Sequence, residues 1–415
     1  MTRATTSVVT RARARRHFVR DRSRHHVVAA SAFASKKRAV ELLFARELTS
    51  GATMLVEHAP PRTSAFRSRV AFGIIRDDLD GTPRLARISE RGDAEEDELA
   101  LDGVPGVRDG ASAFAEILRL DGGPWASVRE SIRAVNVLSI RDGTEIVLAS
   151  THARETLDED EWRTFAETVR ARDERVVGVV CKRKKMPNAL VGDRDYVVEK
   201  MGLPNERTVR LIHREGSFSN PNGDVAEQTA IHLCDYFDAL TRSSEDEEYT
   251  FVELYAGCGN HTVCVAPYFA KRGAYAVEVD ANLVEAAREN FALNGLSENF
   301  ARVVCMPAEE WVRSEDARAI SGEAGRVALL VDPPRAGLDA RTLDFVTASA
   351  FDVVVYVACD HSSLRRDVDD PEHGFEARGY EMRTLAVFDH APTSARWIEV
   401  VATFHRKSSA NASDI

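Results

Sequence analysis

The apolar positions of this 415-residue chain change rhythm near Ser217. Before that point, short β-branched runs alternate with polar turns. RVAFGII, AVNVLSI, EIVLAS, VVGVVCK and TVRLIHR each predict a strand bounded by Gly, Asp or Pro. Among them LDEDEWRTFAETVRARD has helical spacing behind an acidic opening, which predicts a helix. After Ser217, strand-like and helix-like segments take turns. GDVAEQTAIHLCDYFDAL predicts a helix, TFVELYAG a strand, HTVCVAPYFAKRG a helix and AYAVEVD a strand. ANLVEAARENFAL then predicts a helix stopped by Asn294-Gly295. ARVVCM, VALLVD and DVVVYVAC follow as strands, with DARTLDFVTASA a helix between the last two. This order predicts an α/β fold with a doubly wound, Rossmann-like parallel sheet. EMRTLAVFDH and RWIEVVATFH have no helix between them, so an antiparallel hairpin is expected to close the sheet edge.

Charge and composition refine this picture. The formal net charge is −11, so no global basic field points to nucleic acid. Charge is uneven, however: Asp21 is the only acid among residues 1–40, which are rich in Arg, Lys, Ser and Ala. That bias, without a long apolar core, is the pattern of an organelle transit peptide. The small residues of VVAASA favour chloroplast over mitochondrion. No window reaches the ~20 apolar residues of a membrane span. The cysteines at 181, 234, 258, 264, 305 and 359 form no CxxC pair, which argues against a bound metal or iron–sulfur cluster. The expected organisation is a disordered transit peptide over 1–45 and an α+β domain over 46–215, with a solvated acidic insertion at 91–103. The α/β domain over 216–407 and a disordered tail over 408–415 follow.

Candidate chemistry gathers at predicted strand ends. Gly257 and Gly259 in VELYAGCGN allow a tight turn and close backbone approach to a ligand. A dinucleotide loop would want a third glycine where Thr262 stands, so a GxG nucleoside loop fits better. Glu278 ends the next strand, where an acid can grip ribose hydroxyls. In VDPPRAGLD, Pro333 and Pro334 stiffen the segment that projects Asp332 toward a base edge, with Arg335 to meet a phosphate or orient Asp332. Cys359 ends the apolar run Val353–Ala358 and is the candidate nucleophile. A helix through HSSLRRDV, capped by Ser362 or Ser363 and helped by Arg365 and Arg366, is expected to favour its thiolate. Glu399, set between Ile398 and Val400, is the candidate base, with a pKa raised by burial. Each feature has a bland alternative: another nucleotide ligand, a strand-ending turn, a packed thiol, an outward-facing carboxylate. Together they favour covalent chemistry on a pyrimidine. Uracil C5 is a poor nucleophile until a thiolate adds at C6.

SFSNPN, ELYAGCGN, VDPPRAGLD, YVACD and Glu399 resemble, in this order, the RNA 5-methyluridine methyltransferases, most closely the tRNA (uracil-5)-methyltransferase branch. The likeness is strong over 217–406 and traceable over about 66–215 through FRSRVAF and GDRDYVVEK. It implies S-adenosylmethionine as cofactor, bound by Asn220, Glu253, Tyr255, Gly257, Gly259, Glu278 and Asp332. It also implies Cys359 as nucleophile, Glu399 as base, Asp332 as a uracil-positioning acid, and the T-loop uridine of tRNA as target. Arg207, Arg210, Arg214 and Lys182–Lys185 are the expected phosphate groove. Two departures stand out. Asn220 replaces the family's usual Gln, and Cys359-Asp360-His361 replaces its usual Cys-Asn-Pro, setting an acid beside the thiol. The competing readings are a ribosomal RNA methyltransferase and a tRNA-binding or folding protein without turnover. The lack of a four-cysteine cluster favours tRNA.

Overall fold

The computed structural model describes residues 22–407 except 52, 78–80, 89–93, 96–102, 121–122, 154–156, 244–247, 323–325, 350 and 395–396. Residues 1–21 of the expected leader, nearly all of 91–103 and the tail 408–415 lie outside the described residues. The first strand is β1 (Met54–His58). Next come β2 (Arg69–Arg76), β3 (Pro83–Ile88), β4 (Ala94–Glu95), β5 (Ile132–Ser139), β6 (Ile146–His152), β7 (Val176–Arg183) and β8 (Ala189–Gly192). These seven form one sheet in the order β4-β3-β2-β5-β6-β7-β8. β9 (Tyr196–Gly202) and β10 (Thr208–Arg214) make an antiparallel hairpin.

The remaining strands are β11 (Tyr249–Leu254), β12 (Ala274–Glu278), β13 (Ala301–Cys305), β14 (Arg326–Val331), β15 (Val353–Ala358), β16 (Tyr380–Phe388) and β17 (Glu399–Arg406). With β1 they build an eight-stranded sheet ordered β1-β16-β17-β15-β14-β11-β12-β13. β11 to β15 are parallel, and β17 runs antiparallel to both its neighbours. The chain leaves β11 toward β12 and β13, then returns to β14 on the other side. The ligand crevice of such a sheet lies at that reversal, beyond the carboxyl ends of β11 and β14. The doubly wound expectation is met, with one difference: the β16–β17 hairpin is not the edge. β1 adds in parallel to β16, from Met54↔Thr384 to His58↔Phe388.

The N-terminal expectations need correction. A disordered segment to residue 45 is not what the structure has. The helix Arg22–Leu43 leads into Phe44, and Val40 and Phe44 are fully buried in the same cluster as Leu329 and Tyr356 of the catalytic sheet. The basic bias of 1–40 reports charge, and a two-residue apolar contact is too short a signal to oppose it. The boundary at 46 shifts for a similar reason, because β1 belongs to the catalytic sheet. Likewise Met201, Leu203, Val209 and Leu211 of the β9–β10 hairpin pack with Phe251 and Val355. We therefore expect a chain begun at residue 46 to lose roughly 10 °C of melting temperature relative to one begun at 22, or to fail to fold, because the Phe44 side chain alone fills a site whose vacancy costs about 3–5 kcal/mol. Thermal denaturation of the two truncations is the check.

Two helical details also differ. The helix expected through HTVCVAPYFAKRG stops at Val265, and a 3-10 turn over Ala266–Phe269 replaces the rest. Pro267 lacks the N–H a continuing helix needs. The helix Pro105–Arg119 has no counterpart in the sequence expectations. Its Gly106 and Gly110 weaken the helical signal, yet a Cβ there would lie 2.2 Å from Ser139 Oγ and 2.8 Å from Ile146 Cγ2. Among the described residues, no helix is long and apolar enough to cross a membrane.

Candidate active site

Strand alternation aims the site residues to one side. Phe251, Leu330, Val355, Val357 and Val401 share one core cluster beneath the sheet. Glu253, Asp332, Cys359 and Glu399 each stand two residues from one of these, so they project to the same face. The last pair of the β15–β17 ladder is Ala358↔Val400, which makes Cys359 and Glu399 the next opposed positions. Asp332 follows β14, and its N–H donates to Leu254 O at 3.2 Å, placing it beside the loop that leaves β11. Four chain segments thus converge there, around the reversal of strand order.

Two histidines that the sequence analysis did not single out knit these carboxylates together. His390 Nε2 lies 2.9 Å from Glu399 Oε1, and His390 Nδ1 lies 2.8 Å from Asn220 Oδ1. Asn220 also accepts from the Asn222 N–H at 3.0 Å. Asn220, expected at the cofactor, thus also heads a chain through His390 to the candidate base. Burial by itself would raise the Glu399 pKa, but the charge and hydrogen bond of His390 and the charge of His261 outweigh it. Glu399 is held below its ordinary value, which reverses the expected raised pKa. His261, near the start of the helix Asn260–Val265, lies 3.5 Å from Asp332 through Nε2 and Oδ2. Desolvation opposes its charge, but Asp332, Glu253 and Glu399 prevail and lift its pKa to about 9. Asp332 itself is raised, by burial first, against the pull of His261. A local motif search does not find these histidines, since 261 and 390 are far apart in the chain.

Cys359 is partly exposed, and its thiol is pushed above the ordinary value by burial, then by the charges of Asp332 and Glu399, against Arg335. This corrects the expected thiolate. The helix that follows, His361–Asp369, is capped by Asp360 rather than by Ser362 or Ser363, with Asp360 Oδ1 accepting from the Ser362 N–H at 2.8 Å. Arg365 is engaged by Glu47 and Asp369, and Arg366 by Asp367 and Ala336 O, so neither is turned to the thiol. Cys359 should consequently alkylate slowly at neutral pH and accelerate as pH rises past the ordinary thiol range of about 8.5. Glu399→Gln removes a like charge and should move that profile to lower pH. Iodoacetamide labelling read by peptide mass spectrometry gives the test. If Cys359 outpaces exposed Cys305 at pH 7, its environment does not act as described.

The glycine loop has the shape of a ligand cradle. Tyr255, Gly257 and Gly259 all take positive φ, at 63°, 55° and 76°. For a tyrosine this conformation is strained, as happens where function demands it. A Cβ on Gly257 would meet nothing within 4 Å, so this loop faces open space, whereas one on Gly259 would strike Phe291 at 2.6 Å. Glu278 closes the loop by accepting from the Gly257 N–H at 2.9 Å and from the Val279 and Asp280 N–H groups, each at 2.8 Å. Glu253 is fully buried and accepts from Thr262 N–H at 3.0 Å and from its hydroxyl. Burial lifts its pKa to about 7. Glu253 therefore braces the loop from beneath, while Gly257 faces its open side.

The expected phosphate groove is largely absent. Arg207 donates to Cys264 O, Arg210 to Leu293 O, Arg214 pairs with Asp195 and Glu289, and Lys182 with Glu215. Those cations hold the β9–β10 hairpin and its neighbours in place; Arg210, Lys184 and Lys185 are the exposed members of the set. Aromatic groups near the site were missed instead. Phe218 of SFSNPN is 80% exposed, and the Arg335 guanidinium lies 3.3 Å from the ring centroid of Trp397. An exposed aromatic and a stacked guanidinium are surfaces on which unpaired bases lie.

A sequence profile described as tRNA (Uracil-5-)-methyltransferase matches residues 123–401. A tRNA/tmRNA (uracil-C(5))-methyltransferase of a Nitratiruptor species is 28% identical over 339 residues, 80% of this chain and 85% of the relative. A protein of the same description from Dechloromonas aromatica is 33% identical over 274 residues, 64% of this chain and 68% of the relative. Among solved structures, the tRNA (uracil-54, C5)-methyltransferase of Pyrococcus abyssi in complex with S-adenosyl-L-homocysteine matches with a TM-score of 0.63. The match covers 91% of this chain and 83% of that one at 15% identity, a likeness of fold.

Proposed function

The chain belongs to the tRNA (uracil-5-)-methyltransferase family, S-adenosylmethionine-dependent enzymes of uracil C5 in tRNA, and we propose that it acts on the T-loop uridine through Cys359, Glu399 and Asp332. The observation that carries this reading is the opposition of Cys359 and Glu399 on one sheet face, with Asp332 on the neighbouring strand. The Cys359 thiol gives its proton to solvent, the thiolate adds to uracil C6, and the ring electrons move toward C5 and O4. When bound, S-adenosylmethionine supplies an electrophilic methyl group for that carbon. The Gly257 turn and Glu278 are the residues that hold it. Glu399 then takes the C5 proton, the C5=C6 bond re-forms, and sulfur leaves as thiolate. A depressed pKa keeps Glu399 ionised and ready for that proton. Asp332 accepts from the base edge, and burial raises its pKa against the pull of His261.

The target base must leave its stack to reach Cys359, and Phe218 and Trp397 are the aromatic faces available to receive it. The T-loop assignment rests on the tRNA-branch likeness of SFSNPN, ELYAGCGN and VDPPRAGLD. The leader composition supports an organelle, chloroplast before mitochondrion, as the site of action. The testing experiment replaces the T-loop uridine by 5-fluorouridine. Fluorine cannot leave as a proton, so a denaturation-stable adduct should form on Cys359. An adduct mapped to another cysteine, or none at all, would refute the assignment.

A further inference from the structure

Lys36, in the helix Arg22–Leu43, is 3% exposed, an unusual place for an ammonium group. Its three donors have three acceptors: Asp389 Oδ1 at 2.5 Å, Ala391 O at 3.1 Å and Trp397 O at 3.2 Å. All three acceptors belong to the connection between β16 and β17. That connection contains His390, which holds Glu399, near its start and Trp397, which lies against Arg335, near its end. It runs directly into Glu399. One buried side chain therefore ties the start of this connection to its end. Asp389 is itself fully buried, and its Oδ1 also accepts from the Ala391 N–H at 3.2 Å.

Stability alone is a poor reason for such a contact. A buried ion pair is often no more stabilising than apolar residues of the same volume. What the ammonium supplies, and an apolar side chain cannot, is a fixed point for two backbone carbonyls six residues apart in sequence. We propose that Lys36 is a positioning residue for the proton-abstraction step: it sets the Glu399 carboxylate against C5 through the 389–397 connection. Lys36 lies outside the residues matched by the family profile. The inference deepens the covalent reading above and rests on it.

The expected consequence is specific to one step. Without Lys36, sulfur still adds to C6 and C5 still receives its methyl group. The C5 proton then leaves slowly, so the methylated RNA stays bonded to Cys359. The experiment uses the full chain, uridine-containing tRNA transcript and S-adenosylmethionine, with three variants' worth of comparison: wild type, Lys36→Met, and Lys36→Met/Asp389→Asn. The single variant strands a buried carboxylate and is expected to melt early. The double variant removes both charges and should recover thermal stability. In both, kcat should fall by about 10²-fold with KM for tRNA little changed, and a denaturation-stable adduct with ordinary uridine RNA should accumulate. The rate of 5-fluorouridine trapping should stay that of wild type. Recovery of turnover together with stability in the double variant would overturn the proposal, leaving Lys36 a structural residue. Equal loss of 5-fluorouridine trapping would overturn it too, since the defect would then precede the base. Failure of the wild type to trap 5-fluorouridine would remove the covalent reading itself, and this inference with it.

Discussion

Cys359→Ala is expected to lower methyl incorporation into tRNA by roughly 10⁴-fold or more, with little change in folding or RNA affinity. The magnitude follows from what the sulfur does. Without an adduct at C6, uracil C5 has no electron density to offer an electrophile. Cys258 of the glycine loop is no substitute, because it is buried and desolvation pushes its thiol to about 11. The substitution itself is mild, because Cys359 is partly exposed and follows the last ladder pair rather than sitting within it. A tritium-release or methyl-incorporation assay with wild type and variant decides the matter. Retained activity would eliminate covalent catalysis, and inactivity of the wild type would favour a protein that binds tRNA without turnover.

Glu399→Gln is expected to reduce turnover by about 10²- to 10⁴-fold, the range a positioned general base contributes. The two side chains have the same shape, and the glutamine oxygen can still accept from His390 Nε2, so geometry is preserved while proton uptake is lost. The distinguishing sign is the species that accumulates. Cys359→Ala should give no adduct, whereas Glu399→Gln should give a persistent adduct with ordinary uridine RNA. If Glu399→Gln instead prevents adduct formation, the carboxylate acts on the thiol and not on C5.

The departures at Asn220 and Asp360 acquire physical roles in the folded chain. Asp360 is the acid expected to oppose the thiolate, yet its carboxylate is turned to the Ser362 N–H as a helix cap. The charges that do raise the Cys359 pKa are those of Asp332 and Glu399, its own partners in the site. Asn220 reaches His390, and the shorter side chain suits that contact. Such a site is poised by proximity of opposed charges. His261 and His390 offset the acids that a buried edge would otherwise leave repelling one another.

Much of this was readable from residue order. Strand and helix alternation after Ser217 is a local property, fixed by period-two and period-3.6 spacing, and it specified the winding of the catalytic sheet. Gly257, Asp332 and Cys359 were visible because strand ends are marked by the apolar runs that precede them, and Glu399 because an apolar run follows it. What folding alone decided are relations between distant segments. Lys36 meets Asp389, His390 meets Asn220 and Glu399, and His261 meets Asp332 only after distant strands are laid side by side, and charge sharing there reverses the pKa direction that the neighbourhood of Glu399 suggests in isolation. The helix Arg22–Leu43 makes the same point: its basic composition suggests a leader, but burial of Lys36, Val40 and Phe44 depends on a surface formed by residues some 300 positions away. Local spacing encodes elements; electrostatics and burial at long range belong to the assembled sheet.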